Sequence, residues 1–277
     1  MELLDGKVVK KEILDDLKKK LNKLKDKLSL VVIEVGDDEA SKVYVGQKEK
    51  MADSVGINFR LIKLSETATN EELFELIDEL NNDSSVTGIL VQMPLPKHLN
   101  AKEIQNRVLP SKDVDGLNDL NAGKLLHNSD EALVPCTAEG IIDILEYYDI
   151  GIKGSYAVVV GRSDLVGKPV ANLLTNMDAT VTLCHSKTKN LKEITKMADI
   201  LIVAVGKANF IDADYVKDGA VIVDVGINRV DGKLVGDVDV ESVKDKVSYI
   251  TPVPGGVGQL TVANLGKNVY KAYSKKK

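Results

Sequence analysis

The chain has 277 residues, more than the ~100–200 typical of one domain, so two domains are expected. Hydrophobic residues make up 44% and charged ones 29%, the balance of a globular protein with a sizeable core, and a net charge of −5 argues against a nucleic-acid partner. No apolar run approaches the ~20 residues that span a bilayer, the MELLDGKVVKK start lacks a signal-peptide core, and Cys136 and Cys184 suit neither a zinc site nor a disulfide framework, so a metal-free protein of a reducing cytoplasm is expected.

All seven prolines fall after residue 93, and the stretch before them reads as alternating helix and strand. Ile13, Leu14, Leu17, Leu21, Leu24 and Leu28 recur at helical spacing among lysines, predicting a helix over 8–28 with a solvated basic face. SLVVIEVG (29–36) is a buried strand; a helix over 41–54, a strand over 57–64 and an N-capped amphipathic helix beginning at Thr69 follow. VTGILVQMP (86–94) is the next strand. Apolar strands alternating with helices imply parallel sheets covered on both faces, an α/β fold.

The second half repeats the pattern: helix 137–149, strand 156–161, a helix from Val166 with Pro169 in its first turn, strand 181–185, helix 190–198, and strands 200–206 and 220–226. Asp231-Gly232 signals a hairpin, and a last helix runs from about Leu260 to a lysine tail.

Gly161-Arg162-Ser163-Asp164-Leu165-Val166-Gly167-Lys168-Pro169 lies between an apolar strand and a helix. Glycines there let backbone approach a ligand, and a helix start offers unpaired N–H groups to phosphate. The same two glycines also suit a tight strand–helix turn with no ligand. NAD-binding folds usually carry an acid at the end of the next strand to hold the ribose 2′-hydroxyl; here Cys184-His185-Ser186-Lys187-Thr188-Lys189 has none. Arg162, Ser186 and Lys187 could donate hydrogen bonds to a 2′-phosphate, which favours NADP, although Lys187 and Lys189 equally suit a solvated loop.

In the first half, Ser41, Tyr44 and Lys48 share one helical face. A lysine desolvated in a cleft can lose its proton near neutral pH and transfer protons. Tyr-x-x-x-Lys also occurs in short-chain dehydrogenases, but there the glycine loop opens the chain, whereas here it follows Lys48; that reading fails on order. A surface pair four residues apart is the plainer account of Tyr44 and Lys48 taken alone. Gln92 sits at the tip of a parallel strand, where open sheets collect ligands. Lys112-Asp113-Val114-Asp115-Gly116 is a two-carboxylate loop that could also be a simple Asx-type turn. None of His98, His127 and His185 is assigned a catalytic role.

In order along the chain, SKVYVGQK (41–48), VQMPLP (91–96), PSKDVDG (110–116), PCT (135–137), VVGRSDLVGKP (159–169), CHSKT (184–188), DVGIN (224–228), GDVD (236–239) and TPVPGGVG (251–258) resemble the methylenetetrahydrofolate dehydrogenase/cyclohydrolase family. Ala138 and Gln259-Leu260 stand where the family usually has prolines and a methionine; they bear on how stiffly two helices begin and remove no chemical group.

The resemblance implies two lobes with the active cleft between them: an α/β folate-binding catalytic domain, 1–137 plus 261–277, and a Rossmann-like NADP-binding domain, 138–260. It implies oxidation of 5,10-methylenetetrahydrofolate to the methenyl form with NADP, then hydrolysis to 10-formyltetrahydrofolate. A monofunctional NAD(P)-dependent dehydrogenase of the same architecture is the alternative. By the same resemblance Lys48 is catalytic, Gln92 holds it, Tyr44 stacks on the folate and Asp115 accepts hydrogen bonds from the pterin. Pro254 and Gly255 would pass close to the substrate, and Gly161, Arg162, Ser163, Ser186, Gly226 and Ile227 would line the NADP site. A cytoplasmic homodimer serving purine biosynthesis is implied likewise.

Overall fold

The structure, a computed structural model, describes residues 1–275, so Lys276 and Lys277 of the lysine tail lie outside the described residues. The chain forms two compact units. Met1–Lys11 with Thr137–Thr261 make the late unit, and Glu12–Cys136 with Val262–Lys277 the early unit.

β1 (Glu2–Leu3) and the first residues of α1 (Gly6–Leu21) group with the late unit by their contacts. The reason is backbone pairing: Glu2 N donates to Ser248 O at 2.7 Å, Leu4 N to Ile250 O at 2.9 Å and Gly6 N to Gly255 O at 2.9 Å, with Leu4 fully buried. α1 ends at Leu21, seven residues short of the expected end at Leu28. Short closing bonds, Lys23 N to Lys20 O and Leu24 N to Leu21 O, tighten the last turn. Leu24 and Leu28 still reach the core from the connecting turn.

In the early unit β2 (Ser29–Val35) is the central strand, with β3 (Asn58–Leu64) and β4 (Gly88–Val91) parallel on either side. Between them run α2 (Glu39–Val55) and α3 (Asn70–Asn82). Thr69 caps α3 through a full capping box with Glu72. Alternate residues of β2 feed two cores: Leu30 and Val32 pack with Leu17, Val45 and Met51, while Val31 and Ile33 pack with Leu73 and Ile77. Two short helices carry too few residues to show a period, α4 (Ala101–Arg107) and α5 (Asp119–Leu126); Asn100 and Asn118 cap them.

The late unit begins with α6 (Cys136–Tyr147) and β5 (Tyr156–Val160), followed by α7 (Gly167–Asn176), β6 (Thr180–Cys184), α8 (Leu191–Thr195), β7 (Ile200–Val203) and β8 (Val221–Asp224). The hairpin turns at Asp231 and Gly232, both at positive φ, between β9 (Asn228–Val230) and β10 (Lys233–Val235). α9 (Val240–Val243), β11 (Tyr249–Ile250) and α10 (Gly258–Ser274) complete it, with α10 passing into the early unit at Val262. The six-stranded sheet is parallel throughout, in the order β1-β11-β8-β7-β5-β6. After β5 the chain goes to one side and after β6 to the other. The switch point of this Rossmann-like sheet therefore lies between β5 and β7, where open α/β sheets bind ligands.

Candidate active site

In the early unit the chemistry gathers on α2, the end of β4 and the loop after residue 111. Asp38 caps α2, its carboxylate accepting from Ser41 N, and Val45 anchors the helix in the core. That orientation leaves Tyr44 exposed and Lys48 half-buried on the same flank. Lys48 Nζ donates to Gln92 Oε1 at 2.5 Å, and Gln92 Nε2 in turn donates to Met93 O at 2.6 Å, so Gln92 is held at both ends. Burial lowers the pKa of the Lys48 amine, against the opposing attraction of Asp115.

The two carboxylates of the 112–116 loop have different tasks. Asp113, 5% exposed, is the turn-former. Its Oδ1 accepts from Gly116 N at 3.1 Å and Leu117 N at 3.2 Å, and its Oδ2 from Asn118 N and Asn121 Nδ2, each at 2.9 Å. Asp115 lies inside the turn so formed, and its carboxyl accepts no hydrogen bond from the described residues. Desolvation pushes Asp115 up to about 6, with Lys48 pulling it down and Asp113 adding repulsion. Burial also raises the Cys136 thiol.

The loop is pinned from behind. Asn268 on α10 donates through Nδ2 to Val114 O at 2.9 Å and Val134 O at 2.8 Å. Ile89 N donates to Lys112 O at 2.8 Å, fixing the loop against β4. Gly116 has φ +76°, and a Cβ there would strike the backbone of Val134 and Pro135. An amine, a carboxyl and an amide are thus preset in a partly dry setting, able to hold N–H donors of a ligand and move a proton.

In the late unit Gly161 has φ +126° and packs on Ala204 O, while Gly167 packs on Gly161 O, leaving room for no side chain at either position. Ser163 Oγ accepts from Val166 N at 3.2 Å and Gly167 N at 3.4 Å, so it caps the start of α7. Arg162 and Ser186 are exposed at the carboxyl ends of β5 and β6, and Ile227 is 53% exposed after β8. Gly255 has φ +119° and its neighbour Pro254 is exposed. Among the described residues no group of three or more His, Cys, Asp or Glu could hold a metal ion, and no helix is long and apolar enough to cross a membrane.

Sequence reasoning singled out Lys48, Gln92 and Asp115, and the early unit carries all three. It missed the structural division between Asp113 and Asp115, and Asn268. Glycine three residues after Asp113 was the available signal for the first; Asn268 in a plain helical run offered none.

Residues 4–115 match the family model described as the tetrahydrofolate dehydrogenase/cyclohydrolase catalytic domain, and residues 135–277 match its NAD(P)-binding domain. The chain is 55% identical over 269 residues to the bifunctional protein FolD of Ligilactobacillus salivarius strain UCC118, covering 96% of this chain and 94% of that one. The crystal structure of the bifunctional FolD methylenetetrahydrofolate dehydrogenase/cyclohydrolase from Campylobacter jejuni matches with TM-score 0.98 and 46% identity over 100% of both chains. The Trypanosoma brucei FolD structure, complexed with NADP cofactor and inhibitor, matches with TM-score 0.93 and 35% identity over 99% of this chain and 97% of that one. With both halves matched and more than half of the residues shared with a full-length relative, this chain belongs to the tetrahydrofolate dehydrogenase/cyclohydrolase family.

Proposed function

We infer that Lys48, Gln92, Asp115 and Tyr44 carry the folate chemistry of this bifunctional enzyme. It oxidises 5,10-methylenetetrahydrofolate to 5,10-methenyltetrahydrofolate with NADP and hydrolyses that product to 10-formyltetrahydrofolate. The observation that carries the assignment is the desolvated Lys48 amine held on Gln92 at 2.5 Å, under the influence of Asp115.

A lysine with a lowered pKa keeps a larger neutral fraction at neutral pH, and a neutral amine can accept a proton. As water adds to the methenyl carbon, the new C–O bond forms and the water proton passes to Lys48 Nζ. The same amine returns a proton to the folate nitrogen as the C–N bond opens. Gln92 keeps Nζ on station. Above about pH 6 Asp115 is ionised and accepts hydrogen bonds from the pterin N–H groups. Tyr44 offers its exposed ring to the flat part of the substrate.

The late unit fits a dinucleotide: two crowded glycines bring bare backbone to the start of α7, and the segment after β6 presents Ser186 and Lys187 without an acid. When bound, NADP supplies the hydride acceptor. Gly161, Arg162 and Ser163 would hold its phosphates, Arg162 and Ser186 its 2′-phosphate, and Gly226 and Ile227 its nicotinamide half. On the strength of the family resemblance we read the enzyme as a cytoplasmic homodimer whose product serves purine biosynthesis, with no nucleic-acid partner.

The test follows methenyl absorbance, first with enzyme, NADP and methylenetetrahydrofolate, then from the methenyl compound without NADP. Formation followed by decay supports two activities; formation alone supports the monofunctional dehydrogenase. Lys48→Met should cut hydrolysis by roughly 10²–10⁴-fold and leave NADP binding intact. Undiminished water addition in that variant would remove Lys48 from this role.

A further inference from the structure

We propose that Asp237, backed by Asp224, is a positioning residue for the dinucleotide, tying the loops that leave β7 and β8 into one rigid rim. The proposal rests on the reading that the late unit binds NADP at the carboxyl ends of its strands.

Both carboxylates are buried, Asp237 at 0% and Asp224 at 2% exposure, and among the described residues neither meets a lysine or arginine. Their partners are N–H groups. Asp237 Oδ2 accepts from Val205 N at 2.7 Å and Gly206 N at 2.9 Å; its Oδ1 accepts from Lys207 N at 2.8 Å and Asn228 Nδ2 at 2.9 Å. Asp224 Oδ1 accepts from Gly226 N at 2.9 Å and Asp237 N at 3.0 Å, and its Oδ2 from Val238 N at 2.9 Å. Three consecutive amides turned on one carboxylate form an anion-holding nest filled by the protein's own side chain.

The place of this knot gives it a role beyond stability. Residues 205–207 follow β7 directly, and Ala204 before them packs on Gly161 after β5. β5 and β7 border the switch point. The knot thus backs one lip of the ligand crevice and, through Asn228 and Gly226, both sides of Ile227. It also explains two glycines: a Cβ on Gly226 would strike the Asp237 carboxyl, and one on Gly236 would strike Asp224. Gly226 is small because an acid lies behind it, while Ile227 beside it turns outward. Burial raises the Asp224 carboxyl to about 6, with repulsion from Asp237 a smaller addition.

The experiment uses the full-length enzyme. Asp237→Asn puts an amide NH₂ where N–H groups now point, and Asn228→Ala removes one donor only. Hydrogen bonds to charged acceptors set the scale, so Asp237→Asn should raise the NADP dissociation constant roughly 10–100-fold and Asn228→Ala roughly 3–10-fold. Dehydrogenase kcat at saturating NADP and NADP-free hydrolysis of the methenyl substrate should stay within about threefold of the parent. Unchanged NADP affinity in either variant overturns the proposal. So does a fall of both activities together with the melting temperature, which marks a structural role only. If Asp237→Asn yields no folded protein, Asn228→Ala decides by the same criteria. Arg162→Ala separates the two layers: if it weakens NADP while the knot variants do not, the proposal alone fails, and if the parent shows no NADP binding, the cofactor reading itself fails.

Discussion

Asp115→Asn removes a charge from the folate side without stranding a hydrogen-bond donor, because no described residue donates to that carboxyl. Burial lifts the carboxyl from an ordinary 3.8 to about 6. At about 1.4 kcal/mol per tenfold change, the penalty for holding it ionised is ~3 kcal/mol, and solvent access to a half-buried residue reduces this to about 1–2 kcal/mol. A carboxyl raised in the folded state stabilises the fold fully below its unfolded pKa, and that contribution is lost as pH rises through about 6. The asparagine variant should therefore be more stable than the parent by about 1–2 kcal/mol near pH 8, with the gain shrinking to less than half near pH 4.5. Urea unfolding at both pH values measures it. The same variant should raise the folate KM about 10–100-fold, since it loses a charged acceptor for the pterin N–H groups. A variant less stable near pH 8, or with an equal gain at both pH values, would refute desolvation as the cause.

Lys48→Arg keeps a positive charge but has no accessible neutral form, so hydrolysis should fall as far as in Lys48→Met; substantial retained activity would make Lys48 an electrostatic partner instead of a proton carrier. Asn268→Ala leaves the Val114 and Val134 carbonyls short of a donor and should cost about 1–3 kcal/mol in urea unfolding. Its folate KM should rise while NADP affinity is unchanged. Gly116→Ala combines a left-handed backbone with a collision against Val134 and should destabilise by at least ~2 kcal/mol on the same assay.

Most strands were legible because each is a compact β-branched run ending near glycine or proline, as SLVVIEVG and YAVVVG show. Their expected ends were too long where backbone leaves the sheet for another partner. β7 stops at Val203 instead of 206 because, after Ala204 N still pairs with Val160 O, the amides from Val205 turn to Asp237, a residue over thirty positions away. β1 and β11 were invisible, since two residues carry no periodicity. Their pairing is what groups Met1–Lys11 with the late unit. At the site, helix spacing and strand position drew attention to Lys48 and Gln92, and a two-carboxylate turn to Asp115, but the roles proposed for them come from the family resemblance. The supports were not legible, because Asn268 and Asp237 act through main-chain groups whose identity leaves no mark in sequence.

The pairing of Glu2–Leu3 with Tyr249–Ile250 also sets a timetable for biosynthesis. A ribosome adding ~5–20 residues per second leaves the leading segment without its mate for on the order of tens of seconds. The sheet margin it will occupy does not yet exist, and afterwards it stands open until the nascent chain folds back. Open margins recruit foreign strands, and shortness is one natural defence. With only two residues on each side of this closure, the polypeptide offers little template to a neighbour while it waits.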